Sequence, residues 1–443
     1  MFTIDGVLYR QINIFYRESY DMLCSSGLYD SLVQDGLIVP FEEVPVSYVQ
    51  TSQAYRVIKP CRVPFIAYPY EWCFSQLKDA ALATLAIQKR ALEYGMSLKD
   101  SSAYNIQFIA GKPVLIDSLS FEPYAEGKPW VAYKQYCQHF LAPLALMSCT
   151  DIRLSHLLKT YIDGIPLDLA SRLLPNRTRF SLGLMTHIHL HAKTQAAYAD
   201  KTLKSGQSAR KMSHIGLLGI LDSLEASTRK LSWSPAGTEW ADYYEMTNYT
   251  DTAFEQKRTL VDDFLSRANP SVVWDMGANT GEFSRAASSR GIRTVSFDID
   301  PAAVEKNYLT VKKHEETCIL PLILDLTNPS PSIGWAHRER MSLAERAEGD
   351  TVMALALIHH LAISNNVPLE HCAAFFAELC TQLIIEFVPK SDSQVQKLLS
   401  TREDIFSNYT HDGFEEAFSR FFTVVRKEPV LQSDRTLYLM KRK

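Results

Sequence analysis

Residues 272–284 read Val-Val-Trp-Asp-Met-Gly-Ala-Asn-Thr-Gly-Glu-Phe-Ser, and no other stretch constrains this chain as much. An apolar run ends on Asp275, and Gly277 and Gly281 follow at fixed offsets. This is a strand, a tight turn and a helix start, where the backbone comes close to a nucleotide-like ligand. From here the chain alternates between strand and helix patterns. Strands are expected at 272–274, 294–297, 318–324, 352–358 and 383–388. Helices fill the gaps, notably 301–311, with Pro301 in its first turn, and 368–380. Such alternation predicts a parallel sheet covered on both faces. The final runs, 422–426 and 436–440, predict an antiparallel hairpin.

Ligands of such folds bind beyond the carboxyl ends of the strands. Asp275, Asp298 and Asp325 close the first three strands, and Asp298 lies 17 residues beyond Gly281. A dinucleotide site wants Gly-x-Gly-x-x-Gly, whereas this chain has Asp-x-Gly-x-x-x-Gly. Taken together, the five strands, the turn and the acids resemble the class I S-adenosyl-L-methionine (SAM) dependent methyltransferases. The resemblance implies an α/β fold, with a Rossmann-like seven-stranded sheet, and SAM as cofactor. It further implies that Asp275, Gly277, Asn279 and Gly281 line the methionine and ribose end. Asp298 would accept both ribose hydroxyls, and Asp325 with Leu326 would meet the adenine. Asn279 stands where the family commonly has glycine, and Asn tolerates positive φ better than most residues.

The fourth strand leads into Ala-Leu-Ile-His-His-Leu at 356–361, where such enzymes place catalytic groups. The motifs used on DNA bases, Asn-Pro-Pro-Tyr and Pro-Cys, are absent there. His359 and His360 are the available bases, because neutral imidazole takes a proton near pH 7; the alternative is that one of them contacts the cofactor's carboxylate or caps the loop. Glu386 and Lys390 either orient substrate or form a surface ion pair.

A chain of 443 residues is longer than this one domain requires. Three segments are expected: an α+β domain at 1–200, a helical linker or lid at 201–268, and the methyltransferase domain at 269–443. The aromatic run before the core suggests either that Tyr243, Tyr244 or Tyr249 folds over the cofactor or that these tyrosines pack the interface between domains. A net charge of −4 gives no drive toward nucleic acid; the methyltransferase resemblance and the one described below imply a small-molecule or glycan acceptor as partner. No apolar run is long enough to span a membrane, and the first residues lack the pattern of a secretory signal. Eight scattered cysteines without Cys-x-x-Cys suggest reduced thiols in a cytoplasm and no metal centre.

A second pattern lies at 98–108, Leu-Lys-Asp-Ser-Ser-Ala-Tyr-Asn-Ile-Gln-Phe, followed by Asp117. It resembles the catalytic loop and metal-binding Asp of protein-kinase-like and aminoglycoside-phosphotransferase-like families. That likeness implies Asp100 as base and Asn105 and Asp117 as magnesium ligands. The match departs from those families at Leu98-Lys99, at Ser118-Leu119 and in lacking a glycine-rich loop. A bifunctional or pseudokinase–methyltransferase, whose first domain binds nucleotide or a partner, therefore stays open. His187, His189 and His191 share one face only if they form a strand. Ahead of a methyltransferase core, the stretches 68–72, 98–100, 116–121 and 163–166 resemble a bacterial family of two-part methyltransferases. Some of its members are labelled nodulation host-specificity proteins, which implies a saccharide or lipid-linked acceptor.

Overall fold

The structure, a computed structural model, describes residues 1–45, 51–191, 212–235, 251–400 and 402–443. Tyr243, Tyr244 and Tyr249 lie outside these residues. Contacts divide the chain into two compact units, Met1–Trp233 and Ser234–Lys443.

In the first unit, β1 (Phe2–Ile4), β2 (Val7–Asn13), β3 (Phe41–Val44) and β4 (Ala54–Pro60) form an antiparallel sheet of order β1-β2-β4-β3. A long helix, Phe74–Glu93, follows, with Leu77, Ala81, Leu85 and Gln88 buried at helical spacing. Strand β5 (Met96–Leu98) pairs with β8 (Phe121–Pro123), while β6 (Ile106–Ile109) and β7 (Lys112–Leu115) form a hairpin. Its two turn residues, Ala110 and Gly111, both have positive φ, which matches the twist of the flanking strands. The helix His214–Lys230 buries Leu217, Leu221, Leu224 and Thr228 on one face. Lys89 of the long helix reaches it, 2.6 Å from both Asp222 and Glu225. This helix lies in the expected linker but packs within the first unit.

The three histidines sit on a helical π turn, Met185–Leu190, and the residue after it, so they do not alternate on a strand. His187 lies 2.8 Å from the Tyr133 hydroxyl and 2.9 Å from Ser223 Oγ. His189 lies between Ser171 and Thr178 hydroxyls at 2.8 and 2.9 Å. Hydroxyls therefore engage the ring nitrogens of both.

The second unit holds β9 (Val272–Met276), β10 (Arg293–Asp298), β11 (Ile319–Ile323), β12 (Thr351–Ala354), β13 (Gln382–Phe387), β14 (Phe422–Pro429) and β15 (Thr436–Arg442). Their order is β11-β10-β9-β12-β13-β15-β14. The first five are parallel, and β15 joins β13 and β14 antiparallel. All seven strands fall where the sequence puts them. Strand β12 stops at Ala354, short of the expected 358, because Ala356 turns to φ +50 and a π turn, His360–Ser364, follows. No long helix joins β11 to β12. Pro329, Pro331 and Gly334 interrupt that segment, which carries only short 3-10 turns, Trp335–His337 and Ala344–Arg346. Beneath the sheet lies the helix Asp251–Ala268. Its Ala253, Val261, Phe264 and Leu265 pack with Val273, Met353, Ile384 and Leu439 in one core.

Candidate active site

Strand β9 is buried at all five positions, as a central strand covered on both faces must be. The strand order reverses between β9 and β12, so a crevice opens at their carboxyl ends. The glycine turn fills one side of it. Gly277, Asn279 and Gly281 have φ of +78°, +50° and +81°, so the Asn in the turn adopts the left-handed conformation the sequence allowed it. Gly281 starts the helix Glu282–Ser288. A Cβ there would lie 2.5 Å from the Asn307 side chain, and one at Gly277 would lie 3.2 Å from Leu357. The backbone N–H groups of Gly277 and Ala278 both donate to the Phe297 carbonyl at 2.9 Å, tying the turn to β10.

A cavity of about 330 Å³ occupies the crevice. Asp275, Gly277, Asn279, Asp298, Asp325 and Leu326 all line it; Gly281 shapes the turn without lining it. Asp275 accepts a 2.6 Å hydrogen bond from Ser284, and burial pushes its carboxyl up to about 7, with Asp298 adding to the rise. Asp298 accepts backbone N–H bonds from Asn279 at 2.7 Å and Asp300 at 2.8 Å. Burial still outweighs those bonds and pushes it up to about 6. Asp325 is half-buried and accepts from Thr327 N–H and hydroxyl at 2.8 and 2.6 Å. These residues fit the group that the resemblance implies. The turn's two glycines hold positive φ with side-chain atoms close to where a Cβ would stand, and carboxylates suit ribose hydroxyls and a cationic ligand.

The two histidines part company. His360 lines the cavity. His359 is 2% exposed, is not among the residues lining the cavity, and its Nδ1 has no hydrogen-bond partner among the described residues. The rings lie 4.1 Å apart. Burial pulls His360 down to about 4 and His359 well below its ordinary range, so both are neutral at pH 7.

Glu386 and Lys390 do not pair with each other. Lys390 lies 2.7 Å from Asp404 at the surface. Glu386 is wholly buried, accepts from Lys257 Nζ at 2.8 Å, and accepts from the Ala356 N–H at 2.7 Å. Arg435 approaches it at 4.0 Å and holds Asp392 at 2.7 Å. Lys257 went unnoticed in the sequence, although its spacing marks it. With Ala253 and Val261 it falls every four residues along the buried face of its helix, where a lysine is out of place.

In the first unit, Asp100 accepts from Gln135 Nε2 at 2.8 Å and from the Ser102 N–H at 3.0 Å. Asp117 forms an ion pair with Arg10 of β2. Among the described residues no group of three or more His, Cys, Asp or Glu is arranged to hold a metal. None of their helices is long and apolar enough to cross a membrane.

Five parallel strands with an antiparallel pair at one edge, a glycine turn after the central strand, and acids at the carboxyl ends of β9, β10 and β11 define the class: the protein is a SAM-dependent methyltransferase. Within it, the chain belongs to the family of a nodulation protein, NoeA, of Rhizobium meliloti (strain 1021). The two are 38% identical over 421 residues, covering 93% of this chain and 87% of that protein. No protein-family model matches the chain. Solved structures it is similar to include magnesium protoporphyrin IX methyltransferase from Synechocystis PCC 6803, at 16% identity and TM-score 0.34, covering 46% of this chain and 93% of that one. The N-methyltransferase NodS of Bradyrhizobium japonicum WM9 gives 11% identity and TM-score 0.31 over 43% of this chain and 97% of its own. The bifunctional kinase-methyltransferase WbdD gives 18% and 0.30, over 45% and 42%.

Proposed function

We propose that this methyltransferase acts on an uncharged hydroxyl or amino-type nitrogen of a small-molecule, saccharide or lipid-linked acceptor. One observation carries the proposal. Among the described residues, the cavity wall past β12 is formed by Leu357, Leu361, Ser364, Asn365 and Leu398, with His360 its one titratable group. A phosphate or an ammonium group would meet no opposite charge on that wall, whereas a hydroxyl finds Ser364, Asn365 and His360 as hydrogen-bond partners. The relative's designation as a nodulation protein favours the saccharide or lipid-linked class.

In this proposal Asp275, Gly277, Asn279 and Gly281 hold the methionine and ribose end. Asp298 takes the ribose hydroxyls, and Asp325 and Leu326 take the adenine. Bound SAM supplies the electrophilic methyl group. His360 orients the acceptor and accepts its proton, and the apolar wall excludes water. His359 packs behind His360 and takes no proton from the acceptor. The test incubates the enzyme with methyl-labelled SAM and separate metabolite, glycan and lipid extracts, followed by mass spectrometry. A neutral saccharide or lipid product carrying one added methyl supports the proposal. Label found only on a phosphorylated, carboxylated or cationic acceptor refutes it.

The arrangement of the first unit favours a second reading for that unit, a kinase-derived recognition domain. An antiparallel sheet precedes a long helix, and Asp100 and Asp117 flank the β6–β7 hairpin. Arg10 takes up Asp117, the carboxylate a magnesium ion would need. Thermal unfolding with ATP and magnesium tests this. A ligand at 100 times its dissociation constant adds about 2.7 kcal/mol, so an upward shift would favour a nucleotide-binding domain instead.

A further inference from the structure

One stretch of the first unit combines exposed apolar side chains with unopposed positive charge. Residues 169–191 hold Arg172, Arg177 and Arg179 and no Asp or Glu, in a chain whose net charge is −4. The stretch takes in the end of the helix Leu167–Leu173, the 3-10 turn Asn176–Phe180, the helical turn Leu182–Leu184 and the π turn Met185–Leu190. His189 of the π turn ties the first two to it, through its contacts with Ser171 and Thr178. Gly183 seats the helical turn on the helix His214–Lys230, where an added Cβ would stand 1.9 Å from Ser227 Oγ. Thr178, Leu184, Ile188 and His189 are buried by this packing, and the residues between them are left at the surface. Phe180 is 92% exposed and Leu182 84%, and Leu173 and Leu190 are exposed as well. Arg172 faces Asp168 at 3.6 Å, whereas Arg177 and Arg179 have no carboxylate within ion-pairing distance among the described residues.

We propose that this stretch docks the first unit on an anionic lipid surface, with Phe180 and Leu182 entering the boundary of the acyl chains and Arg177 and Arg179 meeting headgroup phosphates. Exposed apolar side chains rimmed by charge mark a contact surface, and the pairing of Phe and Leu with arginines is what a lipid interface takes. A guanidinium group binds a phosphate bidentately. A folded protein partner would have to place an acid opposite each arginine, whereas a fluid layer brings its phosphates to them. Two apolar anchors and two arginines give reversible attachment, far short of a membrane span. The docking stands on the first unit alone and does not depend on which acceptor is methylated. If the acceptor is lipid-linked, attachment holds the enzyme at the surface that presents it and raises its effective concentration there.

The test is co-sedimentation of the full-length protein with vesicles, either of phosphatidylcholine alone or of equal parts phosphatidylcholine and phosphatidylglycerol. The wild type should bind the anionic vesicles at least tenfold more tightly than the neutral ones, and added salt should weaken that binding. Phe180→Ser combined with Leu182→Ser should lose at least tenfold in affinity for anionic vesicles. Arg177→Gln combined with Arg179→Gln should bring the anionic and neutral vesicles close to equal. All four positions are exposed, so the unfolding midpoints of both variants should match the wild type. Phe15→Ser removes another exposed phenylalanine of the same unit, outside this stretch, and should leave binding within twofold of wild type. A wild type that ignores anionic vesicles at low salt would overturn the proposal. So would binding that survives both double variants, or a loss in Phe15→Ser as large as theirs. Self-association without vesicles, abolished by the same two double variants, would assign the stretch to a second copy of the chain and overturn it too.

Discussion

Two buried carboxylic acids at the cofactor end make SAM binding a matter of pH. In the free protein, burial pushes Asp275 up to about 7 and Asp298 up to about 6. A cationic ligand and its hydroxyls require carboxylates, so binding removes the protons and strengthens as pH rises. If ligand returns Asp275 to the ordinary range near 4, its ionisation alone changes the affinity by about 50-fold between pH 5 and pH 7, or about 2.3 kcal/mol. Asp298 adds about tenfold over the same window, on the same reasoning. The assay is titration calorimetry at half-unit pH steps, in pairs of buffers with different ionisation enthalpies, so that proton release is read directly. Proton release should be greatest near pH 5 to 6 and fade above pH 7. Asp275→Asn should flatten the profile to the part contributed by Asp298. Affinity constant within twofold from pH 5 to pH 7, with no proton released, would refute the assignment of these acids to the ligand.

Three further outcomes follow from the geometry. Gly281→Ala and Gly291→Ala both place a side chain at positive φ, at about 1–2 kcal/mol each. Only Gly281 has atoms within 3 Å of the added carbon, so denaturant unfolding should show its variant the less stable and calorimetry the weaker in SAM binding. Arg435→Met leaves Asp392 buried without its 2.7 Å partner and should cost about 3–5 kcal/mol in urea unfolding; Lys390→Met breaks an exposed pair and should cost under about 1 kcal/mol. His360 has its folded value pulled down to about 4, so below pH 6.5 the unfolded chain binds the extra proton. Its contribution is whole above pH 6.5 and is lost as pH falls to 4, about 3 kcal/mol in all, and urea unfolding of His360→Gln across that window should show a correspondingly shallower acid dependence.

Much of the second unit is legible in its sequence because its signals are local. A parallel strand covered on both faces is a continuous apolar run, and the carboxyl end of each run is where Asp275, Asp298 and Asp325 stand. The glycine turn is equally local, since positive φ is a property of single positions. Periodicity could not separate His359 from His360. They are neighbours after the same strand, and only the bend at Ala356 and the π turn decide which ring faces the cavity. Lys257 and Glu386 lie 129 residues apart, and nothing in either segment announces the other. Glu386 sits near the end of a strand as a surface acid would, and its helix partner becomes visible only when the sheet packs on residues 251–268. The sequence by itself determined the strands, the turn and the acids, all matters of local backbone preference and burial. The tertiary structure alone decided which charged and titratable groups meet, because charges buried out of water are set by packing between segments distant in the chain.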